Sequence, residues 1–113
     1  MKNILYLVSS LKKSGPTNQL SYIIKFLDRE LFNPVILTLS DEPKDSMRLY
    51  FEEELNVRVN SLALSRLKGI FKGRILLEEF IIENNIHILH SQGIRADGLV
   101  SKMNISKVST IRN

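Results

Sequence analysis

At 113 residues the chain has room for one domain around one hydrophobic core, and with 43% hydrophobic and 25% charged residues its composition excludes a disordered or membrane-spanning class. A formal net charge of +4 and a pI near 9.5 favour approach to anionic partners such as nucleotides, acidic lipid headgroups or nucleic acid, without choosing among them. The sequence has no cysteine, which excludes disulfides and thiolate chemistry and fits a reducing cytoplasm. Met1-Lys2-Asn3 leads into the first strand too soon for a signal peptide to be expected.

Ile4-Leu5-Tyr6-Leu7-Val8 is a short apolar run without polar alternation, the pattern of a strand covered on both faces at the centre of a parallel sheet. Ser9 to Asn18 is polar, contains Gly15 and Pro16, and reads as a loop. Leu20, Ile23, Ile24, Leu27 and Leu31 then form one stripe of an amphipathic helix that ends near Phe32-Asn33. Pro34 to Leu39 reads as a second strand with Pro34 at its first position, and Pro43 opens a second helix whose inner face is Met47, Tyr50, Phe51 and Leu55. Val57 to Leu62 has the partial alternation of an edge strand. Arg66 to Gly73 is a basic, glycine-punctuated connection, and Ile75 to Ile82 carries the next helix. Ile86 to His90 is a fourth strand, Ser91 to Asp97 a second polar loop, Gly98 to Met103 a short helix, and Val108 to Ile111 a fifth strand.

Strand and helix alternate throughout, without repeats, which predicts right-handed crossovers and an α/β fold. The expected architecture is a Rossmann-like parallel sheet of order 3-2-1-4-5 with helices on both faces, cut short after its fifth strand because the sequence stops at Asn113. The ligand crevice should lie between strands one and four, where the winding reverses, with both polar loops opening into it. Gly15 to Asn18, at the start of the first helix, is the expected place for a phosphate or another anionic group.

The loop after the first strand has no G-x-G-x-x-G, no Walker pattern, and no acidic residue ends the second strand (Leu39 is followed by Ser40), so neither nucleotide fingerprint is present. Gly15 sits where a sharp turn is expected. It reads either as a backbone-shape glycine or as part of a phosphate-facing loop. Lys12 and Lys13 are ordinary solvated charges unless the crevice brings an anion to them. His90 ends the fourth strand at the crevice, while His87 reads as structural; two histidines without a carboxylate cluster predict no metal site. Ser91, Gln92, Gly93, Arg95 and Asp97 supply, within one short loop, donors and acceptors suited to sugar hydroxyls. Asp97 could equally cap the following helix or pair with Arg95. Arg66, Lys68, Lys72 and Arg74, interleaved with Leu67, Ile70 and Phe71, make a basic patch suited to a solvated loop or to peripheral contact with an anionic membrane. Aromatics are too few for a nucleic-acid stacking surface, so no nucleic-acid partner is expected.

Five segments occur in order along the whole chain: Asn3-Ile-Leu-Tyr-Leu-Val-Ser-Ser, Ser14-Gly-Pro-Thr-Asn-Gln-Leu, Phe32-Asn-Pro-Val-Ile-Leu-Thr-Leu-Ser, Ile88-Leu-His-Ser-Gln-Gly-Ile-Arg-Ala-Asp-Gly-Leu and Ser109-Thr-Ile-Arg-Asn. In this order and spacing the chain resembles the amino-terminal domain of a GT-B glycosyltransferase. The similarity is to the large retaining family (group 1, family 4-like) that includes many bacterial capsule, lipopolysaccharide and exopolysaccharide enzymes. The resemblance implies that residues 1–113 form the acceptor-side domain and that a carboxyl-terminal donor domain, with the family's paired glutamates, is missing here. It further implies that the loop at Gly15, Pro16, Thr17 and Asn18 approaches the donor diphosphate, and that the loop after the fourth strand, matched by His90, borders the acceptor pocket. No metal or cofactor beyond the nucleotide-sugar co-substrate is implied, since basic side chains and helix dipoles stabilise the leaving diphosphate. Two departures stand out: Gly15-Pro16 replaces a paired glycine, and Arg112 occupies about the place of a functional histidine.

The expected function is therefore the acceptor-binding part of an enzyme of polysaccharide biosynthesis. The full enzyme would transfer sugar from a nucleotide-sugar to a glycan, lipid-linked or small acceptor on the cytoplasmic side, with peripheral contact at the inner membrane face, and the isolated piece would be inactive. The alternatives are a flavodoxin-like binding module and a scaffolding domain that pairs through an apolar edge. A response-regulator site is disfavoured because Val8-Ser9-Ser10 and Asn60-Ser61 bring no acidic residue to the ends of the first and third strands.

Overall fold

The strand β1 (Lys2–Val8) is buried from Ile4 to Val8, and an apolar strand with both faces and both edges enclosed can only sit mid-sheet. In the computed structural model, which describes residues 1–64, 69–101 and 109–112 and the side chains at all of these but 69–71 and 112, it does. β2 (Phe32–Thr38) pairs parallel to one edge from Lys2↔Phe32 to Val8↔Thr38, and β4 (Ile88–Ser91) to the other from Ile4↔Ile88 to Leu7↔Ser91. β3 (Arg58–Ser61) extends the sheet beyond β2, and β5 (Ser109–Arg112) beyond β4. All pairings are parallel and the order is β3-β2-β1-β4-β5, as the alternation predicts. The Cα radius of gyration, 13.1 Å, matches one compact domain of this length.

The two-residue period of β1 divides the core. Leu5 and Leu7 join Val35, Leu37 and Leu89 beneath two helices, α2 (Gly69–Glu83), which buries Leu77 and Ile81, and α3 (Ile94–Ser101), which buries Ala96, Leu99 and Val100. Gly73 lets α2 approach closely: a Cβ there would lie 2.9 Å from Leu64 Cδ1. On the other face, Ile4, Tyr6 and Val8 join Ile36 and Val59 beneath α1 (Gly15–Lys25) and a single π-helical turn, Tyr50–Glu54.

Three elements depart from the expected boundaries, each for a local reason. α1 begins at Gly15, inside the expected loop, because the extended Ser14 caps it through the Thr17 N–H, and Pro16 suits a first turn. It ends at Lys25, so Leu31 lies in the following turn, exposed. The second helix, expected from Pro43, is reduced to the π turn. Backbone groups at 43–47 are drawn instead to the loop after β1, where Met47 N–H donates to Leu11 O and Lys13 N–H to Asp45 O. Tertiary pairing outweighs helix propensity there. Phe51 is nevertheless fully buried, as its periodicity predicts, while Tyr50 beside it is 39% exposed.

The fourth strand starts two residues late, at Ile88, so His87 precedes it rather than lying mid-strand. His87 Nδ1 accepts the Asn3 N–H at 2.9 Å, and the Asn3 side chain donates to Asn84 O and Asn85 O, locking the amino-end rim of the sheet. α3 begins at Ile94, inside the second expected loop, because Gly93 supplies the turn. Of the basic connection Arg66 to Gly73, residues 66–68 fall outside the described residues, as do Val108 and Met103. Among the described residues, no helix is long and apolar enough to cross a membrane.

Phe51 is the largest fully buried side chain among the described residues. Phe51→Ala is expected to cost about 3–5 kcal/mol, read as the change in unfolding free energy by denaturant titration.

Candidate functional site

In a parallel sheet every strand-to-helix loop leaves from the same rim, so the loops after β1 and β4, neighbours in the sheet, must emerge side by side. They do, and they touch. Gln92 Nε2 donates to Pro16 O at 3.1 Å, across 76 residues of sequence. Between them lies a cleft of about 360 Å³, floored by Val8, Leu11 and Leu20 and walled by Ser9, Ser10, Lys12, Ser14, Pro16, Thr17, Gln92 and Gly93. Hydroxyls, one amide and one ammonium over an apolar floor make a surface suited to a polyhydroxylated ligand bearing negative charge.

Each wall is fixed by a separate device. On the α1 side, Ser14 Oγ accepts the Thr17 N–H at 3.4 Å and lies 3.1 Å from Thr17 Oγ1, setting the direction of the helix start. The outer loop is held from the far side by Glu42, whose carboxylate accepts the Leu11 N–H at 3.1 Å and the Ser46 hydroxyl at 2.6 Å. Lys12 and Ser46 continue this contact as a short antiparallel bridge. On the β4 side, Gln92 N–H donates to Leu7 O at 3.0 Å, extending the sheet by one bond before Gly93 turns away with φ +97°, a conformation that glycine adopts without strain.

Of the residues singled out from the sequence, Pro16, Thr17, Gln92 and Gly93 line the cleft, together with Lys12. Gly15 and Asn18 are in the same first turn of α1 but outside the lining. Gly15 is no sharp turn: it is helical, and a Cβ there would meet nothing within 4 Å. Ser91 is buried as the last residue of β4 and donates its hydroxyl to Asp97 Oδ1, so the alternative pairing of Asp97 with Arg95 does not form. Arg95 instead donates from Nη1 to Ser40 Oγ at 2.5 Å. Arg112 pairs in backbone register with Ser91.

His90 does not line the cleft. Because β4 runs one residue further, to Ser91, His90 points to the α1 face, its ring 5.3 Å from that of Tyr6 and tilted 44° to it. Its Nε2 is buried and has no hydrogen-bond partner among the described residues. Burial raises the Tyr6 phenol above its ordinary value of about 10, against an opposing pull from Arg29. Among the described residues, no cluster of three or more His, Asp or Glu could hold a metal ion.

No protein-family model, curated protein or solved structure matches the chain. What the site can do is therefore read from its own geometry.

Within the loop expected to open into the crevice, the sequence does not single out the lining hydroxyls Ser9, Ser10 and Ser14, and it gives no sign of Glu42 behind the lining or Ser40 beside it. Serines after a strand carry no distinctive pattern, and Glu42 reaches a partner 31 residues away.

Two measurements check this account. Gly93→Ala is expected to cost about 1–2 kcal/mol of stability because alanine is strained at that φ, whereas Gly15→Ala should change stability by less than about 0.5 kcal/mol. The raised Tyr6 value means that the folded state holds the phenolic proton longer than the unfolded chain. Its effect on stability is thus absent below about pH 10 and destabilising above it, and the urea midpoints of wild type and Tyr6→Phe should diverge only above that pH.

Proposed function

We propose that this chain is the acceptor-side half of a nucleotide-sugar-dependent glycosyltransferase of GT-B type, with residues 1–113 forming one wall of a sugar-transfer cleft and a second α/β unit supplying the donor wall. The observation that carries the reading is the joined pair of loops at the carboxyl-end rim, Gln92 to Pro16, framing a hydroxyl-lined cleft over an apolar floor. The apolar floor suits the C–H face of a sugar ring, and Ser9, Ser10, Ser14, Thr17 and Gln92 suit its hydroxyls. Lys12 and the positive dipole end of α1 suit an anionic group arriving from the donor side. The order of the five sequence segments supports the same assignment, and the acceptor on this reading is a glycan, lipid-linked or small sugar.

The chain alone should then bind sugars weakly and transfer nothing. Titrated with mono- and disaccharides, the 15N-labelled protein is expected to shift the amides of Ser9, Leu11, Thr17 and Gly93. Incubated with UDP- or GDP-sugars, it should release no nucleotide. Turnover by the isolated chain, or saccharide shifts that map away from the cleft, would sink the proposal. A tightly held yellow flavin after purification would favour a flavodoxin-like module instead.

A further inference from the structure

Arginine forks commonly engage a carboxylate or a phosphate. The partly buried Arg95 engages no carboxylate. All twelve Asp and Glu residues of the sequence fall at described positions, and none forms an ion pair with it. Asp97 is taken by the Ser91 hydroxyl, Glu42 is turned to Leu11 and Ser46, and Asp41 is exposed. The one hydrogen bond Arg95 makes among the described residues is to a neutral oxygen, Ser40 Oγ, at 2.5 Å.

That bond lies in a particular place. β1 sits between β2, which Ser40 follows, and β4, which precedes α3, so the Arg95 side chain spans the carboxyl end of β1. Ser40 is held for it from three sides. Its N–H donates to Ser9 O at 3.0 Å, and its carbonyl accepts from Thr38 Oγ1 at 3.1 Å and Ser61 Oγ at 3.0 Å. Because the Ser40 hydroxyl accepts from Arg95, its own proton remains free to donate, and most of the guanidinium's N–H groups remain free as well. Ser9 and Gly93 both line the cleft, so this pair adjoins it.

We propose that Arg95 and Ser40 form a binding site for a phosphoryl group at the rim of the sheet, separate from the start of α1. A planar fork beside a free hydroxyl offers several convergent donors, which a tetrahedral dianion uses more fully than a single carboxylate does. The site takes phosphate monoesters or diphosphates, and inorganic phosphate is the simplest probe. Phosphate binding here depends on no sugar, so the site stands or falls independently of glycosyl transfer.

Inorganic phosphate titrated into the 15N-labelled protein at constant ionic strength is expected to give saturable shifts at the Ser9, Ser40 and Arg95 amides, with acetate about tenfold weaker. Arg95→Gln should weaken phosphate about tenfold or more, the loss expected for one charge-assisted contact, and Ser40→Ala by a smaller factor. A wild type without saturable response, an Arg95→Gln variant that responds like wild type, or acetate matching phosphate overturns the assignment. If Arg95→Gln does not fold, Arg95→Lys, which keeps the charge without the fork, is measured beside Ser40→Ala, and unchanged phosphate affinity in both overturns it.

Discussion

A strand hydrogen-bonded along both edges and buried on both faces can shift neither sideways nor in register without exposing apolar side chains. β1 is in that position, with β2 on one edge, β4 on the other, and Leu5 and Leu7 facing one core while Ile4, Tyr6 and Val8 face the other. Its parallel pairing sends the chain out of β1, β2 and β4 at one rim, and no loop has to be long for those exits to meet. The candidate cleft is thus a consequence of strand order before it is a consequence of any side chain. The opposite rim is sealed by Asn3, which bonds to the segment before β4 and, through Asn33, to β2. One rim is stitched closed and the other is left with hydroxyls.

At the open rim the bonds serve placement more than burial. Ser40 gathers β1, β3 and α3 through backbone and hydroxyl contacts, and Glu42 holds the outer loop against the β2 exit. The π turn belongs to the same arrangement. With 43–47 committed to the loop after β1, a single wide turn remains in which to bring Phe51 inward, and Arg48 ties that turn to β3 through Val59 O at 3.0 Å. A regular helix from Pro43 would turn the Met47 N–H to its own carbonyl at 43 and leave Leu11 O without this partner.

The sheet was legible because its signals are periodic and local. The unbroken apolar run of β1 and the alternation of strands with helical stripes imply a parallel sheet, and the usual winding of such a chain then orders its five strands. Two of the loops are shorter than the apolar stripe alone suggests, because Ser14 and Gly93 start helices early. The site was legible only in outline. Pro16, Thr17, Gln92 and Gly93 can be placed because each sits at a strand exit or helix start, whereas His90 lies within β4, where alternation with Leu89 sends it to the α1 face beside Tyr6. Glu42 and Ser40 act across 31 and 55 residues respectively, and no local pattern announces a contact of that span.

The Glu42 clamp reads a backbone amide rather than a side chain. That bond does not select the side chain at position 11, which the core does, since Leu11 is fully buried; the exposed neighbours at 12 and 13 take no part in the clamp with their side chains. This part of the wall thus behaves like a socket with exchangeable fittings at 12 and 13, its shape held by backbone contacts and by the buried Leu11. Of these three positions only the exposed 12 and 13 are free of both the clamp and the core, so a change of side chain there alters what the wall offers and leaves the bonds that shape it in place.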